Sequence, residues 1–484
     1  MRKHLPDTDA LSFREFPVAL LFLMVFSFLY LGPPFWALAT TTSNTLNQAA
    51  LNGTYSFIKS VDQHDIYKES IPDYHFCADS AAINGLKQAI IKQNEQPLSS
   101  NLPTLRKINN TQPFLKKNIV IVIMESFSAR YIGCLNEDHK GFSPYFDKIS
   151  QEGILFTSCR SNGPRSQHGI ISTVSGFPAI QGINLQRRKG VNPFETLGSI
   201  LVSEGYNTQF IHNGDAGFDD MSDFFSQGGF EKIIDIKDFK TWRVKNEWGI
   251  SDEDLYDKAE TLIWSHEKKP TLSVLMTVSN HAPNEVPNEF RKQHPEINKM
   301  TKLQASFYYS DYALGKFIEH CKRNPEYKNT LFLVLADHGA IYDPDDGDYN
   351  IFRIPALLLN TSKEPGRFND MCAQCDFATT ILHEINYPGQ FHFVGQDLFS
   401  KDFKPFAFSR PYGNEILFSS DTLVLKLQFE TGTPIFYRLR DQKYLTEVSN
   451  QADKHLKEIN FVKQYLQSTS FIFKNGKYTS AKGF

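Results

Sequence analysis

Chemically able side chains stand directly after apolar runs at several points in the chain. Asn118–Met124 reads NIVIVIM and is followed by Glu125-Ser126-Phe127-Ser128. A carboxylate at the end of a buried strand is expensive to hide, yet well placed to bind a cation. Thr330–Ala336 (TLFLVLA) is followed by Asp337-His338-Gly339. Asp and His offer one oxygen and one nitrogen ligand, a pair that suits Mn²⁺ or Zn²⁺. Between them, Gly163-Pro164-Arg165-Ser166 stands just before the run IISTV. A Ser at a helix start lies where backbone N–H groups and the helix dipole attract phosphate. Its free hydroxyl is a poor nucleophile near neutral pH and needs a base or a metal. His212 in FIHNG and His281 in SNHAP close two further runs. Each feature alone has a plain structural reading. Glu125, Ser166 and Asp337 could be helix caps, and single histidines could be packed side chains. The combination carries more than any one member.

Those residues need a scaffold that brings strand ends together. Asn118–Met124 is an uninterrupted β-branched run, as in a strand buried on both faces. Similar runs recur at Thr271–Thr277, Thr330–Ala336 and Ile354–Leu359. Between them lie helical patterns at Asp252–His266, with Ser251 as candidate N-cap, and at Met300–Cys321. Strands alternating with helices predict an α/β fold whose largely parallel sheet is covered by helices on both faces. Ligands then sit beyond the carboxyl ends of the strands. After about residue 405 the text changes. Alternating segments at Leu423–Phe429 and Pro434–Leu439 predict a small antiparallel patch, and Gln451–Leu466 predicts a closing helix. The expected division is a catalytic domain over 117–404 and its C-terminal part over 405–484.

The chain has 484 residues, 41% hydrophobic and 22% charged, which allows a globular core and argues against wholesale disorder. A net charge of -3 gives no basic excess for nucleic acid. Residues 16–40 carry no charge and are long enough to cross ~30 Å of hydrocarbon. Arg2, Lys3 and Arg14 precede them, so residues 1–15 are expected in the cytoplasm and the remainder outside it. A single-pass anchor is therefore expected. Two other readings stay open: a signal cleaved near Ala37-Leu38-Ala39, and a core helix, which Gly32-Pro33-Pro34 would break. Residues 41–116 read as linker with short helices. Cys372 and Cys375 have C-x-x-C spacing without a second pair for zinc, and are expected as helical, partly buried thiols.

Taken in order, Glu125 in MESFS, Ser166 in GPRS, His212 in IHNG, His281 in SNHAP and Asp337-His338 in ADHG resemble a family. It is that of the lipoteichoic acid synthase-like phosphoglycerol transferases, within the alkaline phosphatase and sulfatase superfamily. Trp248-Gly249 before SDEDLYDKA, FYYSDYALGKF, Arg353-Ile354-Pro355 and VGQDLF support it, over about residues 117–400. The resemblance implies one divalent metal, Mn²⁺ above Mg²⁺ or Zn²⁺, held by Glu125, Ser166, Asp337 and His338. It implies Ser166 as nucleophile, where the family usually has Thr. It implies His212, His281 and Arg165 on the substrate, with His281 protonating the departing alcohol. A phospholipid donor and a glycan or lipid acceptor at the cell membrane would follow. The Trp and Arg that some members carry after the first histidine are absent from DAGFDDMSDFF. Members usually have several membrane helices, where this sequence offers one candidate.

Rival readings share the scaffold. A phosphoethanolamine transferase or a hydrolytic phosphodiesterase would use the same hydroxyl and metal. A sulfatase needs a C/S-x-P-x-R motif, and Ser161-Asn162-Gly163-Pro164-Arg165 has the wrong spacing. A catalytically inactive, membrane-tethered binding module is the reading from another class.

Overall fold

The computed structural model describes residues 73–136, 141–180, 193–265, 269–339, 347–411, 415–429, 432–440, 444–448 and 452–479, with positions 17, 20 and 21. The expected membrane segment at 16–40 lies almost wholly outside the described residues. Among those described, no helix is long and apolar enough to cross a membrane.

Eight strands form the central sheet. They are β1 (Asn118–Met124), β2 (Gly153–Phe156), β3 (Asn207–His212), β4 (Lys232–Ile234), β5 (Thr271–Met276), β6 (Thr330–Ala336), β7 (Ala356–Leu359) and β8 (Gly366–Phe368). Their spatial order is β8-β2-β7-β6-β1-β5-β3-β4. From β6 through β1, β5 and β3 to β4 all pairings are parallel. β7 runs antiparallel to both β6 and β2, so the sheet is mixed but largely parallel. Every residue of β1, β5 and β6 is buried, as both-faced covering requires. That is why these strands read as unbroken apolar runs rather than alternating ones.

Register decides where the chemistry appears. Met124 pairs with Ala336, so Glu125 and Asp337 leave the sheet side by side. Ile123 and His212 both pair with Met276, which puts His212 and the segment after β5 on the same edge. A one-residue slip would turn each of these side chains to the other face.

Six helices matter below: α1 (Asp79–Ile90), α2 (Ser166–Ser175), α3 (Asp252–Ile263), α4 (Lys302–Cys321), α5 (Asp376–Glu384) and α6 (Leu456–Lys474). Ser251 does occupy the N-cap of α3, but its hydroxyl donates to the Asp254 carboxylate at 2.6 Å instead of capping. Five consecutive strands build the C-terminal antiparallel sheet: β9 (Ala407–Ser409), β10 (Glu415–Ser419), β11 (Leu423–Gln428), β12 (Pro434–Arg440) and β13 (Tyr444–Val448). Cys372 is not helical. It lies in a two-residue strand paired with Cys159–Arg160, and Cys375 is the N-cap residue of α5. Both thiols are buried, and burial raises their pKa well above the usual value.

Within the stretch read as linker, α1 packs on α6, and Glu95–Pro97 and Arg106–Ile108 form a three-stranded sheet with Gln390–Phe391. A buried ion pair holds this piece down. Arg106 Nε lies 3.0 Å from Glu95 Oε1, and the guanidinium also donates to the carbonyls of Gly395, at 2.7 Å, and Phe393. Burial alone would raise the Glu95 pKa, but Arg106 and then His383 outweigh it and bring it down to about 2. The folded pKa is therefore below the unfolded value near 4.5. Stability from this pair is present above about 4.5 and is lost as pH falls toward about 2. Arg106→Leu strands a buried carboxylate, so urea denaturation at pH 7 is expected to show a loss of about 3–5 kcal/mol. The deficit relative to the parent chain should shrink as the pH falls toward 3.

Candidate active site

Glu125 is buried immediately beyond β1, and its backbone fixes it there. Its N–H donates to Thr277 Oγ1 at 2.9 Å, and its carbonyl accepts from Asn280 Nδ2 at 3.2 Å. Ser126, with φ of 49°, takes the left-handed conformation that turns the chain off the strand. Its hydroxyl donates to Glu125 Oε1 at 2.8 Å.

Asp337 is held in a complementary way. Its Oδ1 accepts from the backbone N–H of Ser126 at 2.8 Å and of His338 at 2.7 Å. Its Oδ2 is buried and has no hydrogen-bond partner. His338 Nδ1 donates to the Gly339 carbonyl at 2.6 Å, which leaves Nε2 as a lone-pair donor. That Nε2 lies 3.4 Å from Asp337 Oδ2 and 4.0 Å from Glu125 Oε1. One ligand atom from each of these three residues falls within 4.8 Å of the others.

Ser166 completes the cluster. It is the first residue of α2, and Arg165 occupies the N-cap position without any side-chain cap. The Ser166 hydroxyl donates to Glu125 Oε2 at 3.2 Å instead. The reading of Ser166 as an ordinary N-cap is thereby removed.

The electrostatics call for a cation. Burial first, and the neighbouring Glu125 charge second, push the Asp337 pKa up. Burial works against the charged form of His338, but Asp337 and Glu125 outweigh it and raise its pKa. An unpartnered Oδ2, a second carboxylate, an imidazole lone pair and a hydroxyl are the donor set of a divalent ion such as Mn²⁺, Mg²⁺ or Zn²⁺. The residues present fit such an ion.

The two other histidines stand on the same sheet edge but outside the cluster. His212 is buried at the end of β3, with Nδ1 donating to the Met276 carbonyl at 3.0 Å. Burial lowers its pKa, so it is neutral at pH 7. His281 is half-buried in the turn after β5, with Nδ1 donating to the Ala282 carbonyl at 3.1 Å. Arg165 is exposed beside Ser166.

Asp252, at the start of α3, joins the two histidine loops and carried no signal beyond a helix-start acid. Its Oδ1 accepts from Asn213 Nδ2 at 3.0 Å and from the N–H groups of Val278 and Ser279 at 3.3 and 3.1 Å. Its Oδ2 accepts from Ser310 Oγ at 2.9 Å. Asn280 was visible only as part of SNHAP. His168 and Arg410 were also missed. Arg410 Nη1 lies 3.4 Å from His168 Nε2, and its N–H donates to the Asn162 carbonyl at 2.9 Å. Burial first, then the charges of Arg410 and Arg165, hold His168 neutral.

A sulfatase family model matches residues 117–387, more than half of the chain and the whole span from Glu125 to His338. The chain belongs to the sulfatase family. Its sequence is similar to a lipoteichoic acid synthase of Staphylococcus saprophyticus, 24% identical over 363 residues, covering 64% of this chain and 54% of that protein. It is also similar to phosphoglycerol transferase I of Salmonella agona, 24% identical over 248 residues, covering 48% of this chain and 32% of that protein. The chain thus spans about half the length of the first relative and a third of the second. Among solved structures, a protein of the alkaline phosphatase superfamily from Vibrio parahaemolyticus superposes with a TM-score of 0.74 at 27% identity, covering 84% of this chain and 99% of that one. LtaP, a lipoteichoic acid synthase from Listeria monocytogenes, shares the fold with a TM-score of 0.66 at 20% identity, covering 82% and 98%. The fold of this sulfatase-family chain is therefore alkaline phosphatase-like.

The cluster can be tested without a turnover assay. Mn²⁺ at about 100 times its Kd is expected to stabilise the parent chain by about 2.7 kcal/mol in thermal unfolding. Asp337→Asn keeps the shape, removes one of two repelling charges and should lose most of that gain. Its metal-free form should be at least as stable as the metal-free parent. An unchanged Mn²⁺ gain in Asp337→Asn would place the ion elsewhere.

Proposed function

We propose that this chain transfers a phospho-alcohol group, phosphoglycerol or a close relative, through a phosphoserine formed on Ser166. The observation that carries the reading is the Ser166 hydroxyl aimed at Glu125 Oε2 beside Asp337 and His338. The names of the relatives, lipoteichoic acid synthase and phosphoglycerol transferase I, support the transferred group. A divalent ion, Mn²⁺ by preference, held by Glu125, Ser166, Asp337 and His338, would lower the pKa of the hydroxyl and neutralise phosphoryl charge.

The chain's own residues do the rest. Ser166 Oγ gives its proton to the carboxylate oxygen it touches and attacks phosphorus. The P–Oγ bond forms as the bond from phosphorus to the departing alcohol oxygen breaks. His281 keeps its Nδ1 proton on the Ala282 carbonyl, so it acts as the imidazolium, whose second proton, on Nε2, goes to the departing oxygen and leaves a neutral ring. Neutral His212 offers its Nε2 lone pair to a hydroxyl of the transferred group. Exposed Arg165 offers a cation to the phosphate. In the second half an acceptor hydroxyl gives its proton to His281 Nε2 and bonds to phosphorus as the P–Oγ bond breaks, and Ser166 Oγ takes its proton back from Glu125. A phospholipid donor, a glycan or lipid acceptor, and tethering outside the cytoplasm through residues 16–40 complete the proposal.

Ser166→Ala should abolish phosphodiester turnover and leave the thermal midpoint nearly unchanged, because the hydroxyl caps no helix. Ser166→Thr should retain measurable activity. Mass spectrometry of the Ser166 peptide after incubation with glycerophospholipid should show the added phospho-alcohol in the parent and not in Ser166→Ala. Turnover surviving in Ser166→Ala would move the nucleophile and end the proposal.

A further inference from the structure

Trp248 does something that its sequence neighbourhood does not announce. Its indole stacks on the His281 ring with centroids 3.6 Å apart and planes 29° apart. The loop that carries it is rigidly tied. Asn246 Oδ1 accepts from the N–H groups of Trp248 and Gly249 at 2.9 and 3.2 Å, and Gly249 pairs with Gly214. The approach at that bridge is close. A Cβ on Gly214 would meet His212 Nε2 and the Trp248 carbonyl, each at 2.6 Å. One short segment thus lies against both active-edge histidines: its backbone beside His212 and its side chain against His281.

Phe218 extends the wall outward. It meets Trp248 edge-to-face, at 5.5 Å and 89°, and is 51% exposed. It belongs to the stretch DAGFDDM, where the Trp and Arg that some members of the resembled family carry are absent.

We propose that Trp248 is the positioning residue for His281, holding the imidazole plane for the alcohol that departs from phosphorus. This rests on the reading of His281 as the group that protonates that alcohol. Stacking fixes the imidazole plane. The bond to the Ala282 carbonyl fixes its rotation, and Nε2 is left to serve the alcohol oxygen.

The test uses the full chain with Mn²⁺ and two donors that differ in the departing group. Bis(p-nitrophenyl) phosphate releases p-nitrophenolate, which needs no proton. A glycerophosphodiester of an alkyl alcohol releases an alkoxide, which does. In single-turnover formation of the Ser166 adduct, which excludes the second half, His281→Ala and Trp248→Ala should each cost the alkyl donor about 10²-fold more than the nitrophenyl donor. Trp248→Phe should recover most of the loss, since a stacked ring is restored. Equal losses on both donors in Trp248→Ala would mean a purely structural residue and overturn the positioning role. If His281→Ala shows no dependence on the departing group, the protonation step itself falls, and the role of Trp248 with it. If His281→Ala shows it and Trp248→Ala does not, only the inference about Trp248 falls.

Discussion

Glu125 and Asp337 are forced together. The register that pairs Met124 with Ala336 sends two carboxylates out of adjacent parallel strands into a buried pocket. Burial first, and then their repulsion in a medium that screens poorly, push the Asp337 pKa up. The fold does not relieve it by distance. Backbone N–H groups from Ser126 and His338 hold one oxygen of Asp337, while the other is left without a partner. His338 turns its lone pair inward and Ser166 turns its hydroxyl toward Glu125. A cation shared among them would offset that repulsion, and sheet register, the helix start and the direction of the side chains all suit one.

Much of this was legible because the chemistry follows buried strands. A strand covered on both faces has little choice but Val, Ile, Leu and Phe, so β1 and β6 stand out as unbroken runs. The first polar residue after such a run marks the active edge. Glu125, Asp337 and His338 were readable on that ground, and Ser166 through its place at a helix start. α3 and α4 followed from their helical pattern to within about three residues, expected at Asp252–His266 and Met300–Cys321 and found at Asp252–Ile263 and Lys302–Cys321. Ser166 as a cap was not separable from Ser166 as a member of the carboxylate cluster until the hydroxyl's direction was known.

What stayed hidden depends on contacts between distant segments. Trp248 lies 33 positions before His281, and no local pattern brings an indole onto an imidazole. Asp252 looks like any acid in a first helical turn, yet three of its side-chain hydrogen bonds join the loops of both histidines and a fourth ties them to Ser310 of α4. The cysteines at 372 and 375 were misplaced for a related reason. Their local text fits a helix, but pairing with Cys159–Arg160 draws the first of them into a strand. Residues 79–108 look like linker because their anchoring partners, Phe391, Phe393, Gly395 and α6, are hundreds of positions away.

The C-terminal sheet is more than an appendage. Ser409 donates its hydroxyl to the Ser161 carbonyl at 2.7 Å, Asn162 donates its amide to the Phe408 carbonyl at 2.9 Å, and the Arg410 N–H returns to the Asn162 carbonyl. The segment leading into Ser166 is therefore clasped by residues that come after the span matched by the family model. An expressed fragment cut at residue 387 would keep every proposed ligand and still lose the clasp on the segment leading into Ser166. For the same reason this sheet is a place where relatives with identical ligands can diverge. Changes in β9 and its exit loop reach Ser166 through the backbone, without touching a single proposed ligand.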